Sequence, residues 1–185
     1  FGYTLKLLGV ARNEEGKMEV GVSPMMIPST HPLANVNDSF NAVFVHGDAV
    51  DDAMFQGRGA GEFPTASAVV GDLISVARDM QYDCCGRIGC SCYKNLSMKP
   101  AGEARHKYFL RLIVEDRTGI LAGVLGNNGV SINQVIQKPA VNGVAELVVI
   151  TDKVETRHLN DAMMIFGEMS MIREVASVIR VYTQK

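Results

Sequence analysis

GRGAGEFPTASAVVGDL, residues 57 to 73, sets glycines at 57, 59 and 61 directly ahead of an apolar helical stretch, and the reading of that glycine run decides which fold the chain can have. A dinucleotide-binding α/β fold needs G-x-G-x-x-G between a buried strand and a helix inside a parallel βαβ unit, with an acid about 20 residues later for the ribose. Here the spacing is G-x-G-x-G, and Glu62 stands where the third glycine belongs. The runs ahead of it are short and alternate like antiparallel strands, and no second βαβ unit follows. A phosphate-binding P-loop is excluded as well, since no Gly-Lys-Ser/Thr follows. Two readings of the loop stay open. It is a tight strand-to-helix turn in which glycine supplies positive φ and close packing, or it is bare backbone that lets a carbonyl or anionic group approach the free N–H groups and dipole of the helix start. The doubly wound class is set aside, and the chain reads as α+β.

Outward from the loop, Pro64 to Met80 carries apolar residues at Ala66, Val69, Val70, Leu73, Ile74 and Ala77, the spacing of an amphipathic helix. Pro64 suits a first helical turn. Upstream, TLKLLGVAR and KMEVGVSPMMI form a hairpin pattern across Asn13-Glu14-Glu15-Gly16. Pro32-Leu33-Ala34 opens a single helical turn, and NAVFVHGDAV, residues 41 to 50, is a strand with a Gly-Asp turn, with MFQG as its return.

Downstream, KYFLRLIVED is a strand, ILAGVLGNNG has helical spacing, VSINQVIQK is a strand and Val141-Asn142-Gly143 a turn. VAELVVITD is a further strand, apolar on both faces at its end. ETRHLNDAMMIFGEM is helical, with apolar positions at Leu159, Ala162, Met163 and Phe166, and VASVIRVYT closes as a strand. The order βαββαβ predicts a ferredoxin-like arrangement, with two helices on one face of an antiparallel sheet.

Composition separates these halves. At 185 residues, against roughly 150 per domain, two small domains are expected. Residues 1 to 80 hold five Lys/Arg against ten Asp/Glu, residues 81 to 107 five against two, and residues 108 to 185 eight against eight. The middle stretch, QYDCCGRIGCSCYKNLSMKPAGEARHK, lacks periodicity and carries a Pro-Ala-Gly turn signal, so residues 81–106 read as a linker. The net charge of −2 offers no footprint for nucleic acid. No stretch approaches a membrane span, and the first residues lack the basic start and cleavage site of a secretory signal, so a cytoplasmic chain is expected. It opens directly in strand pattern, which reads as a piece of something longer.

PMMIPSTHPLANVNDSFNAVFVHGDAV followed by GRGAGEFPTASAVVGDLI resembles the last third of the homoserine dehydrogenase catalytic domain, over nearly all of residues 2 to 80. The specific motifs are I-P-x-x-H-P-L-A at Ile27 to Ala34 and G-x-G-A-G-x-x-P-T-A at Gly57 to Ala66. The resemblance implies that Gly59, Ala60 and Gly61 form an edge against the nicotinamide end of NAD(P), with Gly61 in direct contact. It places the nucleotide-binding domain, the catalytic lysine and the acidic homoserine-binding residues ahead of what aligns with Phe1. The full-length parent would then bind NAD(P), while the fragment would bind none, hold no catalytic residue and be inactive.

The βαββαβ order with D-R-T-G-I-L and G-V-S-I-N resembles an ACT domain, the amino-acid-binding regulatory module of many biosynthetic enzymes, over residues 107 to 183, within a domain read as 107–185. ILAGVLGNNG is shorter than the usual first helix of that module, by roughly a turn. An effector's carboxylate would be held by N–H groups near Gly119 and Ile120 at the helix start, and its ammonium by Asp116 and Asn133, the latter from a neighbouring subunit. Asp116 is equally explained as a helix cap. The resemblance implies threonine as effector and a homo-oligomer, because residues 1–80 are too few to cover both faces of a sheet.

Cys84, Cys85, Cys90 and Cys92 are enough thiols for tetrahedral zinc, but the spacing is wrong for paired knuckles, so free thiols and no metal are expected. His31, His46, His106 and His158 form no spaced pair and are assigned no catalysis, and Met163, Met164, Met169 and Met171 read as core filler. Two functions stand. One is the C-terminal catalytic part and regulatory domain of a homoserine dehydrogenase, with roles in threonine, methionine and isoleucine synthesis. The other is a stand-alone amino-acid-binding regulator that uses residues 1–80 as a dimerisation platform.

Overall fold

The computed structural model describes residues 1–86, 89, 92, 94–115, 130–140 and 143–183. Contacts divide the chain into two compact units, residues 1–29 with 96–185, and residues 30–95. The class is α+β, mostly strands with two described α-helices.

The first unit begins with a long hairpin, β1 (Tyr3–Glu14) and β2 (Lys17–Pro28). Its turn is tighter than the four-residue loop expected, because Glu15 (φ 54°) and Gly16 (φ 80°) both adopt positive φ. That pair of angles matches the right-handed twist of the strands it joins. The Asn13 side chain locks the turn by accepting a hydrogen bond from the Gly16 N–H at 3.0 Å.

The rest of the unit contains β5 (Ser97–Met98), a 3₁₀ turn at Ala101–Glu103, β6 (Arg105–Glu115), β7 (Ile132–Gln137), β8 (Val144–Thr151), β9 (Val154–Glu155), α2 (Thr156–Glu168) and β10 (Ile172–Val181). Strands are ordered β1-β2-β10-β6-β8-β7, with β5 on β2 and β9 on β6. The β6-β7-β8-α2-β10 succession matches the ferredoxin-like order expected. The helix expected at 120–129 and residues 141 and 142 of the expected turn lie outside the described residues.

The core follows from alternation. β6 turns Tyr108, Leu110, Leu112 and Val114 to one face, where they meet Ala145, Leu147 and Val149 of β8 and Leu159, Ala162 and Phe166 of α2. Period two on the strands and 3.6 on the helix align these side chains into one seam. The start of α2 is pinned there: the Thr156 hydroxyl donates to the Ala104 carbonyl at 3.0 Å and lies 2.9 Å from the Tyr108 hydroxyl.

The sheet also runs past the segment read as a linker. Ser97 and Met98 pair in parallel with Lys17 and Met18, and Arg105 and His106 already belong to β6 and pair with β9. Met25 and Met26 of β2 pair in parallel with Arg180 and Val181 of β10. The spatial units therefore differ from the sequence division at 81–106, because the free edge of β2 offers backbone donors and acceptors that pair with strands remote in sequence.

The second unit holds a 3₁₀ turn at Pro32–Asn35, as expected, then β3 (Phe40–Gly47), β4 (Asp51–Arg58) and α1 (Glu62–Gln81). β3 and β4 form an isolated two-stranded sheet. β3 ends at Gly47, at the expected Gly-Asp turn, and Asp51 begins the return at φ 51°. No residue of α1 is buried.

Phe166 is among the largest fully buried side chains. Phe166→Ala should cost about 3–5 kcal/mol through lost burial and the cavity left behind. Leu73→Ala on uncovered α1 should cost under about 1 kcal/mol in the same urea titration of this chain. Equal losses would contradict this placement of the core.

Candidate functional site

The turn Gly59-Ala60-Gly61 joins β4 to α1. Gly61 caps the helix at φ 129° and ψ 152°, a region open essentially to glycine alone. No side chain caps the helix start. The Gly61 carbonyl instead accepts from the Thr65 N–H at 3.1 Å and the Thr65 hydroxyl at 2.7 Å. Pro64, third in the helix, carries no N–H, so it removes one of the donors a helix start leaves unpaired. Ala60 is exposed between the two glycines. The three residues expected to meet a cofactor thus share one exposed, conformationally fixed turn.

Asn133, expected at an effector site, lies on β7 and donates from Nδ2 to Asp152 Oδ1 at 3.3 Å. Asp152 also lies 3.7 Å from Lys107 Nζ. Spacing along the sequence gave no signal for Asp152, because β7 and β8 bring it to Asn133 only once paired. Asp116, Gly119 and Ile120 lie outside the described residues, so nothing here brings them to Asn133. Cys84 and Cys85 form no disulfide among the described residues, Cys92 is exposed, and Cys90 lies outside the described residues. Among the described residues, no group of three or more His, Cys, Asp or Glu is arranged to hold a metal ion.

The histidines occupy different settings. His46 is exposed, with Nδ1 2.8 Å from Asp52. His31 is buried, accepts from the Leu33 N–H through Nδ1 at 3.2 Å and packs on Phe44 with ring centroids 4.7 Å apart. Burial holds its pKa below the ordinary value, opposed by Asp52.

His106, itself buried, closes a half-buried ring of polar groups. Arg12 Nε lies 3.0 Å from Glu19 Oε2, Arg12 Nη2 is 3.1 Å from His106 Nδ1, and His106 Nε2 is 3.0 Å from Glu19 Oε1. An arginine can only donate, so Nδ1 accepts and the neutral ring carries its proton on Nε2, which is close to Glu19 but not in hydrogen-bond geometry with it. Burial pushes the His106 pKa down to about 4; Glu19 opposes the shift, and Arg180 and Arg12 add to it. Nearby, Lys99 pairs with Glu14, which holds the Glu14 carboxyl below the usual carboxylate range. Arg12 and Glu19 face each other across the hairpin, a pairing legible from the turn, whereas His106 is far away in sequence.

The sequence profile described as homoserine dehydrogenase matches residues 1–74. Over 188 residues the chain is 37% identical to homoserine dehydrogenase of Bacillus subtilis, an overlap of 97% of this chain and 43% of the relative. The enzyme of that name from Corynebacterium glutamicum is 38% identical over 188 residues, covering 97% of this chain and 42% of its own length. Among solved structures, a homoserine dehydrogenase from Thiobacillus denitrificans superposes with a TM-score of 0.86 at 32% identity, over 98% of this chain and 43% of that one. The chain belongs to the homoserine dehydrogenase family. It spans less than half the length of these relatives. The family profile ends inside α1, while the match to the full-length homoserine dehydrogenases runs on through the ferredoxin-like strands. Among the described residues, no helix is long and apolar enough to cross a membrane.

The burial of His106 has a consequence for stability. The folded state keeps His106 neutral down to about pH 4, whereas the unfolded chain protonates it near 6.5. Between those values the unfolded state binds more protons, so stability falls as pH falls, by up to about 1.4 kcal/mol per pH unit for one such group. Urea melts from pH 7 to 4.5 should show this slope, and His106→Gln should flatten it. A variant with the unmodified slope would remove His106 as its source.

Proposed function

We propose that the chain is part of an NAD(P)-dependent enzyme interconverting L-aspartate 4-semialdehyde and L-homoserine, on the route to threonine, methionine and isoleucine. Residues 1–80 are the end of its catalytic domain, 81–106 a linker and 107–185 an ACT regulatory domain. The observation that carries this reading is the exposed G-x-G-A-G turn with its uncapped helix start, in a chain 37% identical to a homoserine dehydrogenase. A bound nicotinamide cofactor supplies the hydride acceptor or donor. The turn's own part is positioning: backbone without a side chain at 61 lets a flat ring lie close, and the strand-turn-helix frame holds that edge still. The 185 residues contain no G-x-G-x-x-G unit to hold a pyrophosphate, so the chain by itself is expected to bind no cofactor and turn over no homoserine. The setting is cytoplasmic.

Regulation belongs to the ferredoxin-like half. Asn133 commits its amide N–H to Asp152, leaving the side-chain oxygen to accept from an effector's ammonium. The carboxylate falls to N–H groups near Gly119 and Ile120, with Asp116 beside them. Residues 1–80 also leave Leu5, Leu7, Val20, Val22, Leu73 and Ile74 exposed, apolar area that supports a homo-oligomer.

Ala60→Leu adds bulk in the turn at a residue without positive φ. In the full-length enzyme it should raise the cofactor KM about tenfold or more with Tm unchanged, a loss of roughly 1.4 kcal/mol in binding. An unchanged KM would take the turn out of the cofactor's path. Calorimetry of this chain with millimolar threonine should show weak heat that Asn133→Ala removes, from a species sedimenting as a dimer or larger. No heat from the unmodified chain would mean that the module serves assembly alone.

A further inference from the structure

Gly59 is bare for a reason found inside the chain. A Cβ placed there would lie 1.8 Å from Asn41 Nδ2, 2.8 Å from Asn41 Cγ and 3.3 Å from Asn41 Cβ. The β3–β4 register sets Asn41 opposite Gly57, yet a Cβ at Gly57 would meet nothing within 4 Å. Positions 57 and 59 lie two apart, so in strand geometry they share a face. The Asn41 side chain therefore leans diagonally from its own partner onto the turn and fills the volume a residue at 59 would occupy. Gly61 is different, since its requirement is backbone conformation, at φ 129°.

We propose that Asn41 is a positioning residue that sets how closely the glycine turn packs on β3, and that Gly59 lacks a side chain to admit Asn41 rather than to admit a ligand. This rests on reading the turn as the cofactor-facing edge. The turn's backbone lies against the Asn41 carboxamide, so the amide fixes the height at which Ala60 and Gly61 stand and the point from which α1 starts. A displacement of about 1 Å at a cofactor-facing edge is enough to change binding strongly. Gly59→Ala would not break the fold, because rotation of Asn41 about its side-chain torsions relieves the clash. It would let the turn move.

The test is a reciprocal exchange in the full-length enzyme, because the methyl that Gly59→Ala introduces would stand where the Asn41 amide nitrogen now lies. Gly59→Ala and Asn41→Ala should each weaken NADP or NAD binding about tenfold by fluorescence titration. At saturating cofactor, kcat should stay within about twofold of the unmodified enzyme. The double variant Asn41→Ala/Gly59→Ala should recover to within about threefold of the unmodified enzyme, with a Tm above that of either single variant. Losses that multiply in the double variant, or a silent Gly59→Ala, would overturn the proposal. If the unmodified enzyme binds neither NAD nor NADP, the cofactor reading itself has failed. The Tm cycle then still decides the packing: recovery in the double variant establishes the contact, and additive losses refute it.

Discussion

The most consequential constraint in the first unit is a short strip of parallel pairing between β2 and β10, Met25 with Arg180 and Met26 with Val181, extended by the Tyr182 N–H on the Met26 carbonyl at 2.8 Å. It makes the hairpin and the ferredoxin-like strands one sheet. Two paired positions are little to hold so long a hairpin arm, and the remainder comes from side chains: the Arg12-Glu19-His106 ring and the Lys99–Glu14 pair. Half-buried charge pairs contribute little net stability, but losing a partner beside the buried His106 imidazole leaves a desolvated polar group unpaired.

The Arg12-Glu19-His106 ring joins segments remote in sequence. Arg12 and Glu19 belong to the stretch matched by the homoserine dehydrogenase profile, and His106 lies at the start of the strand that carries most of the ferredoxin-like core. The hairpin therefore meets β6 through directional polar groups, whose distances and angles are more demanding than those of an apolar contact.

In the second unit, the glycine turn is rigid for local reasons while its surroundings are uncovered. Gly61 holds an angle only glycine takes, and Gly59 makes room for Asn41. Meanwhile α1 presents Val69, Val70, Leu73 and Ile74 without burying any of them. A helix with an apolar stripe reaches its stability by packing that stripe, and among the described residues none covers that of α1. The relatives are more than twice as long as the chain.

The sequence by itself determined the local elements and their inward faces. Alternation in KYFLRLIVE specified the buried side of β6, the 3.6 period of α2 selected Leu159, Ala162 and Phe166, and the Asn13-Glu14-Glu15-Gly16 loop paired β1 with β2. The motif I-P-x-x-H-P-L-A with G-x-G-A-G-x-x-P-T-A carried the family. Tertiary structure alone decided which strand edge met which. The parallel pairing of β2 with β10 and with Ser97–Met98, the approach of His106 to Arg12 and of Asp152 to Asn133, and the placing of Asn41 under Gly59 leave no trace in periodicity. The physical reason is that periodicity records only whether a side chain faces inward. The partner on a hydrogen-bonding edge is chosen among all free edges after the chain has folded, by backbone groups that are the same in every residue but proline.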